Sequence, residues 1–415
     1  MRNIILYFPY LKVGGVSLLF KRLSSYLLPM NNVFLVDFRE GFMGKDIPAG
    51  VGFIDYDKVD QYPGNSILIL QSLAPWNIKD VSKFHADTRI LFWNLHPLNF
   101  YPYIFSIHSP SPFKSYIGKI FNPLSYFRKK KFERLVKYLS DANSLVFMDG
   151  ENYSSTSNHF PNLDINKKIL PIMSNGVSQI TNVNGGSTLR SCWIGRIVDF
   201  KINILAHLIM RLDGAVERVG PITLTIVGDG DPVDIDMLKR EAEKFDRIKL
   251  KFIENIHPNQ LDEFIGNEVD VLFAMGTSAL EGASRHRPTF VLDYSYKRIE
   301  GLYKFKYIFE SAECNLAEKI DPALHYEVYS SLEDRLIEIK KNYKVVGWKC
   351  FEYWRLNFSP EITVKKFINY VDNAGATIGE LRAQGFFDAD LISIVFKKTL
   401  RLFKKENVIH GFLEN

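Results

Sequence analysis

Short apolar runs, mostly β-branched, alternate along the chain with longer stretches whose apolar positions recur every three or four residues. The short runs predict buried strands, and the longer stretches predict amphipathic helices. Their alternation is typical of βαβ units around parallel sheets, so the predicted fold class is α/β. The predicted strands are 4–8, 32–38, 51–56, 66–70, 89–93, 144–148 and 168–172 in the first half, and 191–195, 222–228, 248–253, 269–274 and 288–293 in the second. The predicted helices include 16–28, 202–212, 234–245 and 358–371, the last with Pro360 at its start.

Two domains are expected from the length of the chain and from one break in the pattern. A chain of 415 residues that is 46% hydrophobic is too long for a single ordinary domain. Residues 176–190 are rich in Gly, Ser, Thr and Asn and lack helical periodicity, as linkers do. We therefore predict Rossmann-like domains at 1–180 and 181–355, a helix within 356–375, and a basic amphipathic helical extension at 376–415.

Charge and cysteine content narrow the partners and the compartment. The net charge of +5 is mildly basic, which favours anionic ligands or a membrane surface over nucleic acid, for which a longer basic stripe is expected. Cys192, Cys314 and Cys350 lack the spacing of a zinc site or disulfide framework, which favours a reducing compartment. No apolar run approaches the ~20 residues of a membrane span, and the N-terminal run is too short for a signal segment. We expect a cytoplasmic protein.

The stretch WIGRIVDFK, residues 193–201, begins as a buried strand and ends in charge. Ligands of open α/β sheets bind beyond the carboxyl ends of the strands, where helix N-termini present N–H groups to anions. Arg196 and Lys201 flank the start of the following helix, so both could contact one diphosphate lodged between the domains. The alternative is a pair of solvated surface charges.

Two glycine turns lie at other predicted strand ends. In TIVGDGDP (225–232) a strand breaks before a helix, which indicates a structural turn with an Asp cap. The pair Asp229 and Asp231 is weak support for a divalent cation, so no metal is expected. Gly14 and Gly15 follow the first strand and open the first helix, where they either admit a phosphate or sugar close to the backbone or form a tight turn.

A third strand end carries hydroxyls and a carboxylate. Gly276, Thr277 and Ser278 precede a helix whose first N–H groups could hold phosphate oxygens. Glu281, one turn into that helix, could accept hydrogen bonds from two vicinal ribose hydroxyls. Alternatively, Thr277 or Ser278 caps the helix and Glu281 interacts only with the helix dipole.

Five motifs follow one another along the chain, namely GGV (14–16), SNGVS (174–178), GRIVDFK (195–201), IVGDGDP (226–232) and GTSALEGASRHRPT (276–289). In this order they resemble the motifs of the GT-B glycosyltransferases, specifically the retaining family-4 type. The resemblance extends from residue 1 to about residue 372 and is stronger in the second half. It implies two Rossmann-like doubly wound domains facing across a cleft, with the second binding the nucleotide sugar. It also implies that no metal or other cofactor is needed and that the late helix crosses back to the first domain.

Position by position, the resemblance assigns roles to five residues. It implies that Arg196 and Lys201 grip the donor diphosphate and that Glu281 binds the ribose. Gly15 would lie near the diphosphate and the transferred sugar. His96, in FWNLHPLNF after a predicted strand, would contact that sugar; a histidine at a strand end is equally compatible with a loop or core role.

One position departs from the family pattern. The family usually carries a further glutamate eight residues before the ribose glutamate, and that position is Phe273 here. The transferred sugar and the choice between retention and inversion are therefore open. The backbone of 276–278 could supply contacts that a side chain supplies elsewhere.

The resemblance implies a hexosyltransferase-type enzyme that transfers a sugar from a nucleoside-diphosphate sugar to a glycan or lipid-linked acceptor. The expected setting is bacterial surface polysaccharide synthesis, such as O-antigen, capsule or lipopolysaccharide, with retention. Two alternatives stay open, namely a nucleotide-sugar epimerase or hydrolase of similar shape and a GT-B module that binds without catalysis.

Two basic stretches suggest contact with a membrane. Residues 96–140 mix aromatics with the run Arg128–Lys131, which favours either a lipid headgroup interface or a helical insertion with its aromatics in the core. Residues 390–413 combine apolar helical spacing with lysines and could contact a membrane, the first domain or another subunit. We expect peripheral contact with the inner face of the cytoplasmic membrane.

Overall fold

The computed structural model divides the chain into two compact units. The first comprises Met1–Ile172 together with the segment from Thr363 onward, and the second comprises Met173–Ile362. Each unit contains one six-stranded sheet. The structure describes residues 2–11, 14–71, 75, 78–97, 99–101, 126–176, 186–254, 256, 258–301, 303–320 and 331–388.

The first unit is built around a fully parallel sheet in which β1 and β4 are central. Its strand order is β3-β2-β1-β4-β5-β6, the order of a doubly wound dinucleotide-binding fold. Strands that helices cover on both faces are continuously apolar, as the all-buried β4 is. The elements are β1 (Asn3–Tyr7), α1 (Gly15–Leu27), β2 (Asn32–Asp37), β3 (Gly52–Asp55), β4 (Ser66–Leu70), β5 (Arg89–Asn94), α2 (Tyr126–Asp141), β6 (Leu145–Phe147) and α3 (Gly150–His159).

The second unit repeats this topology. Its strand order is β12-β11-β10-β7-β8-β9, which is the same order when counted from its own first strand, and only β12 is antiparallel to its neighbour. The two sheets confirm the predicted doubly wound α/β fold. The elements are β7 (Leu189–Ile194), α4 (Asp199–Val219), β8 (Ile222–Val227), α5 (Pro232–Ala242), β9 (Lys249–Ile253), α6 (Pro258–Glu268), β10 (Val271–Ala274), α7 (Thr277–Ala283), β11 (Thr289–Val291), β12 (Lys306–Tyr307) and α8 (Leu332–Asn357).

Two late helices complete the described chain. They are α9 (Pro360–Asn373), which begins at the predicted proline, and α10 (Ile378–Ala383). Phe367 on α9 is fully buried and packs near the Trp93 ring of β5, with 6.1 Å between ring centroids. Among the described residues, none of the helices combines the length and the apolar character needed to span a bilayer. The basic stretch predicted at 390–413 lies outside the described residues.

One predicted strand, 168–172, is wrong. Only an isolated bridge joins Ile169 to Phe147 of β6. The pairing stops there because β6 is three residues long and Asp149 already caps α3 with its carboxylate. The carbonyl of Leu170 accepts the Trp93 indole N–H at 2.9 Å, so it is satisfied outside the sheet. The two-residue β12 was not predicted, because so short a strand has no periodic pattern.

His207 is an uncharged titratable group in the core of the second unit. Its side chain, on α4, is 6% exposed and stacks on Phe305 with 6.2 Å between ring centroids. Neither ring nitrogen has a hydrogen-bond partner in the described chain. Burial, and secondarily the charge of Arg211, lowers the pKa of His207 to about 4. The folded protein therefore resists protonation that an unfolded chain accepts.

We expect the second unit to lose stability in mild acid through His207. The unfolded histidine takes up a proton near its ordinary pKa of about 6.5, whereas the folded one does not until about pH 4. The free energy of unfolding should therefore fall by ~1.4 kcal/mol per pH unit across this window. His207→Phe keeps an aromatic ring in the core and should remove this component.

The measurement is urea unfolding of both proteins from pH 8 to pH 4.5. The difference between the variant and the wild type should grow in favour of the variant as the pH falls, by roughly 2–3 kcal/mol in total. If the free energies of unfolding of the two proteins changed with pH in parallel, His207 would not be the source of the acid sensitivity.

Candidate functional site

Two loops run side by side at the carboxyl edge of the second sheet. Gly195–Ile197 follow β7 and Gly228–Gly230 follow β8, and the Ile197 N–H donates to the Asp229 carbonyl at 2.7 Å. A Cβ at Gly228 would lie 1.9 Å from the Gly195 oxygen, and one at Gly230 would lie 2.1 Å from the Ile197 oxygen. The glycines of the GDG turn are therefore required by close backbone contact with the loop that carries Arg196.

The remainder of that turn begins a helix, as predicted. Asp231 is the N-cap of α5, and its carboxylate accepts the Val233 N–H at 2.9 Å. The described residues contain no group of three or more His, Cys, Asp or Glu side chains arranged to hold a metal ion.

The charges of Arg196 and Lys201 influence one another, and no acidic side chain among the described residues pairs with either. Arg196 is exposed and Lys201 is half-buried, with its Nζ 5.8 Å from the Trp193 ring centroid and 5.7 Å from that of Phe200. Within the part of the chain that the structure describes, neither side chain makes a salt bridge or hydrogen bond. Burial, and secondarily the charge of Arg196, lowers the pKa of Lys201 to about 8. Two cations held together without a counter-charge favour an anionic ligand.

The Gly276 turn leaves the sheet beside the Arg196 loop. Strands β7 and β10 are neighbours, and Ile194 pairs with Ala274, so the paired residues lie two positions before Arg196 and two positions before Gly276. Gly276 has φ +60°, a conformation that favours glycine, and its N–H donates to the Leu316 carbonyl at 2.9 Å. Among the described residues, no atom lies within 4 Å of a Cβ built at Gly276.

The helix after this turn begins without a side-chain cap. Gly276 is the N-cap of α7, so the alternative in which Thr277 or Ser278 caps the helix is wrong. Thr277 is exposed and Ser278 is half-buried, and neither hydroxyl has a hydrogen-bond partner among the described residues. The first N–H groups of α7 and two hydroxyls thus lie at the same edge as Arg196.

Glu281 and Phe273 occupy very different surroundings. Glu281, on α7, is half-buried, and its Oε2 accepts from Arg285 Nη1 at 2.7 Å. Phe273 is fully buried in β10 and stacks on Phe290, with 4.9 Å between ring centroids. The position where the resembling family carries an additional glutamate is therefore part of the core in this chain.

In the first unit, Gly14 and Gly15 lie at the start of α1. Gly14 is the N-cap, and Ser17 Oγ both accepts from its N–H at 3.1 Å and donates to its carbonyl at 2.9 Å. No atom of the described residues lies within 4 Å of a Cβ built at Gly15. The glycine pair therefore opens the helix, and no described residue fills the space next to Gly15.

A buried carboxylate that no sequence pattern indicates anchors the segment before these glycines. Asp37, at the end of β2, is fully buried and accepts N–H groups from Tyr10 at 2.7 Å, Phe38 at 2.8 Å and Met43 at 2.9 Å. Burial raises the pKa of Asp37, while these backbone hydrogen bonds act in the opposite direction. Its only sequence signal is an acidic residue at a strand end.

His96 follows β5 on a turn with a rigid base. Asn94 is fully buried, and its Oδ1 accepts from the His96 N–H at 3.3 Å and from Asn99 Nδ2 at 3.2 Å. The Nδ2 group of Asn94 donates to Thr156 Oγ1 at 3.1 Å. His96 is an exposed residue of the loop at the carboxyl edge of the first sheet, although protein atoms around its ring desolvate it and thereby lower its pKa.

Comparison with known proteins supports the fold. No protein-family model matches the sequence, and no curated protein matches it significantly. Solved structures do match. HepE of Anabaena in complex with UDP is 11% identical, with a TM-score of 0.53 over 90% of this chain and 100% of that chain. A glycosyltransferase from Rickettsia africae ESF-5 is 11% identical, with a TM-score of 0.54 over 90% of this chain and 98% of that one.

TarM of S. aureus is 10% identical, with a TM-score of 0.53 over 89% of this chain and 98% of that chain. At such identities the likeness concerns the fold. The chain therefore has the GT-B fold of these glycosyltransferases.

Proposed function

We propose that this protein is a glycosyltransferase that moves a sugar from a nucleoside-diphosphate sugar to a glycan or lipid-linked acceptor. The observation that carries the proposal is the cation pair Arg196 and Lys201, which has no acidic partner in the described part of the chain and lies beside the Gly276 turn. Anabaena HepE, which has the same fold, has been solved with UDP and with UDP-glucose. These complexes support a nucleotide sugar as the donor.

The second unit would bind the donor. Arg196, Lys201 and the N–H groups at the start of α7 would hold the diphosphate, since a helix start and nearby cations both favour phosphate oxygens. Thr277 and Ser278 would add hydroxyl donors. Glu281 would accept hydrogen bonds from the ribose hydroxyls.

Catalysis in this proposal is electrostatic. The bond between the sugar anomeric carbon and the diphosphate oxygen breaks, and negative charge develops on the leaving phosphate. Arg196 and Lys201 would stabilise that charge more in the transition state than in the ground state. The acceptor oxygen forms the new glycosidic bond, and with retention its proton passes to the leaving phosphate. No metal or cofactor takes part in this scheme.

The first unit would contribute Gly14 and Gly15 near the donor diphosphate and the transferred sugar, and His96 to that sugar. The position of Gly15 at the start of α1 and the hydrogen-bonded turn that carries His96 support this assignment. Because Phe273 supplies no carboxylate, we propose that backbone N–H groups of 276–278 bind sugar hydroxyls. We further propose a hexosyl donor, retention, and an acceptor in bacterial surface polysaccharide synthesis.

A peripheral contact with anionic membrane is proposed for α2. Tyr126 is 59% exposed and Phe127 is 80% exposed, and the basic run Arg128–Lys131 follows them directly. Exposed aromatic rings beside cations suit the headgroup region, where rings enter the interface and cations meet lipid phosphates.

Arg196→Ala should weaken both donor binding and turnover. In thermal-shift titrations with UDP, GDP, dTDP, ADP and CMP, one diphosphate should stabilise the wild type more than the others do, and this stabilisation should shrink in the variant. With the corresponding nucleotide sugar, turnover should fall by about two orders of magnitude, because a group aimed at developing charge is lost. Arg218→Ala is the matched control, since Arg218 lies at the far end of α4 in an exposed pair with Asp334 at 2.8 Å.

Other outcomes of this experiment separate the alternatives. Donor hydrolysis or epimerisation without an acceptor would favour the epimerase or hydrolase. Nucleotide binding with no turnover across a broad acceptor panel would favour a binding module. An unaffected Arg196→Ala would remove the cation pair from the site.

Affinity for the diphosphate should fall as the pH rises above about 8. The free protein loses the Lys201 proton near this pH, and a bound diphosphate would raise that pKa, so binding requires proton uptake at higher pH. The dissociation constant should then rise by up to about tenfold per pH unit. Calorimetry from pH 7.5 to 9.5 would measure this dependence.

Lys201→Arg is the control for that dependence, because a guanidinium keeps its charge throughout the range. Any titration of the nucleotide itself affects the dissociation constants of the wild type and of Lys201→Arg equally. Equal profiles for the wild type and Lys201→Arg would show that Lys201 does not bind the anion.

Tyr126→Ser combined with Phe127→Ser should reduce binding to vesicles of phosphatidylethanolamine and phosphatidylglycerol by roughly tenfold, because two large apolar groups leave the interface. Co-sedimentation measures the bound fraction. Trp348→Ser in the second unit removes a comparable aromatic side chain, 54% exposed, and should have no effect. Unchanged binding of the double variant would exclude α2 as the contact.

A further inference from the structure

Arg285 joins the proposed ribose-binding carboxylate to a second helix. It lies just beyond α7, its side chain is 7% exposed, and its Nη1 donates to Glu281 Oε2 at 2.7 Å and to the Glu281 carbonyl at 2.6 Å. Its Nη2 pairs with Asp262 on α6. One buried guanidinium therefore contacts two carboxylates that lie on different helices.

This arrangement differs from an ordinary helix-surface pair. An exposed pair four residues apart contributes only ~0.3–0.5 kcal/mol, because water screens the charges and both side chains lose freedom. Here the guanidinium is buried, and its Nε has no hydrogen-bond partner in the described chain. Burying a charge with one unsatisfied donor opposes folding, so a role in stability alone is a weak explanation for Arg285.

The pair also fixes the orientation of Glu281. Arg285 Nη1 contacts both the backbone carbonyl and the carboxylate of Glu281, so the side chain is restrained at both ends. Glu281 retains 13% side-chain exposure, so a ligand can still reach it. Two carboxylates share this one guanidinium, and each carboxylate has two oxygens that can accept hydrogen bonds. The cluster can therefore still accept hydrogen bonds from neutral hydroxyls.

We propose that Arg285 is a positioning residue for ribose recognition, and this rests on the proposed function. It holds the Glu281 carboxylate where two vicinal hydroxyls can donate to it. Through Asp262 it also fixes α7 against α6, the helix that follows β9. Binding of the ribose hydroxyls thus depends on a residue that does not itself touch the nucleotide.

The test compares nucleotides with and without the hydroxyls that Glu281 would bind. Calorimetry measures UDP, GDP and ADP, each beside its 2′,3′-dideoxy analogue, on the wild type, Arg285→Met, Glu281→Gln and the double variant. For the preferred base, the wild type should bind the ribose form about tenfold or more tightly than the analogue. Arg285→Met should lose most of this ratio while binding the dideoxy form as the wild type does. The double variant should be no weaker than Glu281→Gln, because both changes remove the same interaction.

Two further variants separate positioning from general stability. Arg285→Lys keeps the charge but cannot form the two-carboxylate fork, so an intermediate ratio is expected, and this variant serves if Arg285→Met does not fold. Arg190→Met breaks a similar pair, Arg190 to Asp270 at 2.6 Å, near the amino ends of β7 and β10. It should lower the melting temperature and leave the ribose ratio unchanged.

The outcomes distinguish this inference from the function on which it rests. If both Arg285 variants kept the wild-type ratio of affinities for the ribose and dideoxy nucleotides, the positioning role would be overturned. The glycosyltransferase proposal would remain intact. A wild type that binds the diphosphates equally well with and without hydroxyls would overturn the role of Glu281 and with it that of Arg285. A wild type that binds none of the nucleotides would overturn both proposals.

Discussion

The positive charges of Arg196 and Lys201 affect one another, and neither side chain is paired with a carboxylate among the residues that the structure describes. The glycines of the 228–230 turn allow direct backbone contact with the loop that carries Arg196. Aromatic rings flank Lys201 and keep water from its ammonium group, which lowers its pKa. Repulsion between the two cations opposes folding, and an anion bound at this edge would reduce that repulsion.

The doubly wound topology explains why this edge collects the relevant groups. In a parallel sheet all strands end on one side, so the turns after β7, β8 and β10 are neighbours although they are far apart in sequence. The strand pairing places the Gly276 turn next to the Arg196 loop. The same topology in the first unit places Gly14 and His96 at the carboxyl edge of that sheet.

Much of this could be predicted from sequence, because strands buried on both faces are continuous apolar runs and their ends are marked by glycine. The sequence pattern does not predict strands correctly where tertiary contacts decide whether a segment pairs. Residues 168–172 are apolar enough for a strand. The neighbouring strand β6 ends at Phe147, and Asp149 then caps the next helix, so only one bridge forms with them. The two-residue β12 exists only through its pairing with β11.

The candidate site could be predicted only in part, because some of its residues act through contacts that are distant in sequence. Glycine, hydroxyl and basic residues at strand ends have local meaning, and they could be recognised one motif at a time. Asp37 acts on Tyr10, 27 residues earlier, and Arg285 acts on Asp262, 23 residues earlier, so their roles depend on which loops the fold brings together. The core position of Phe273 likewise follows from its stacking on Phe290.

The two charged clusters of the second unit differ in their charge balance. Arg196 and Lys201 have no counter-charge among the described residues, whereas Glu281 shares a guanidinium with Asp262. An anionic group would be attracted by the cations of the first cluster, and the carboxylates of the second would repel it. A neutral hydroxyl gains little from the first and can donate to the second. A ligand that carries phosphates at one end and vicinal hydroxyls at the other would suit both clusters. This difference in charge is the physical reason why a nucleoside diphosphate is proposed rather than free phosphate or a neutral sugar.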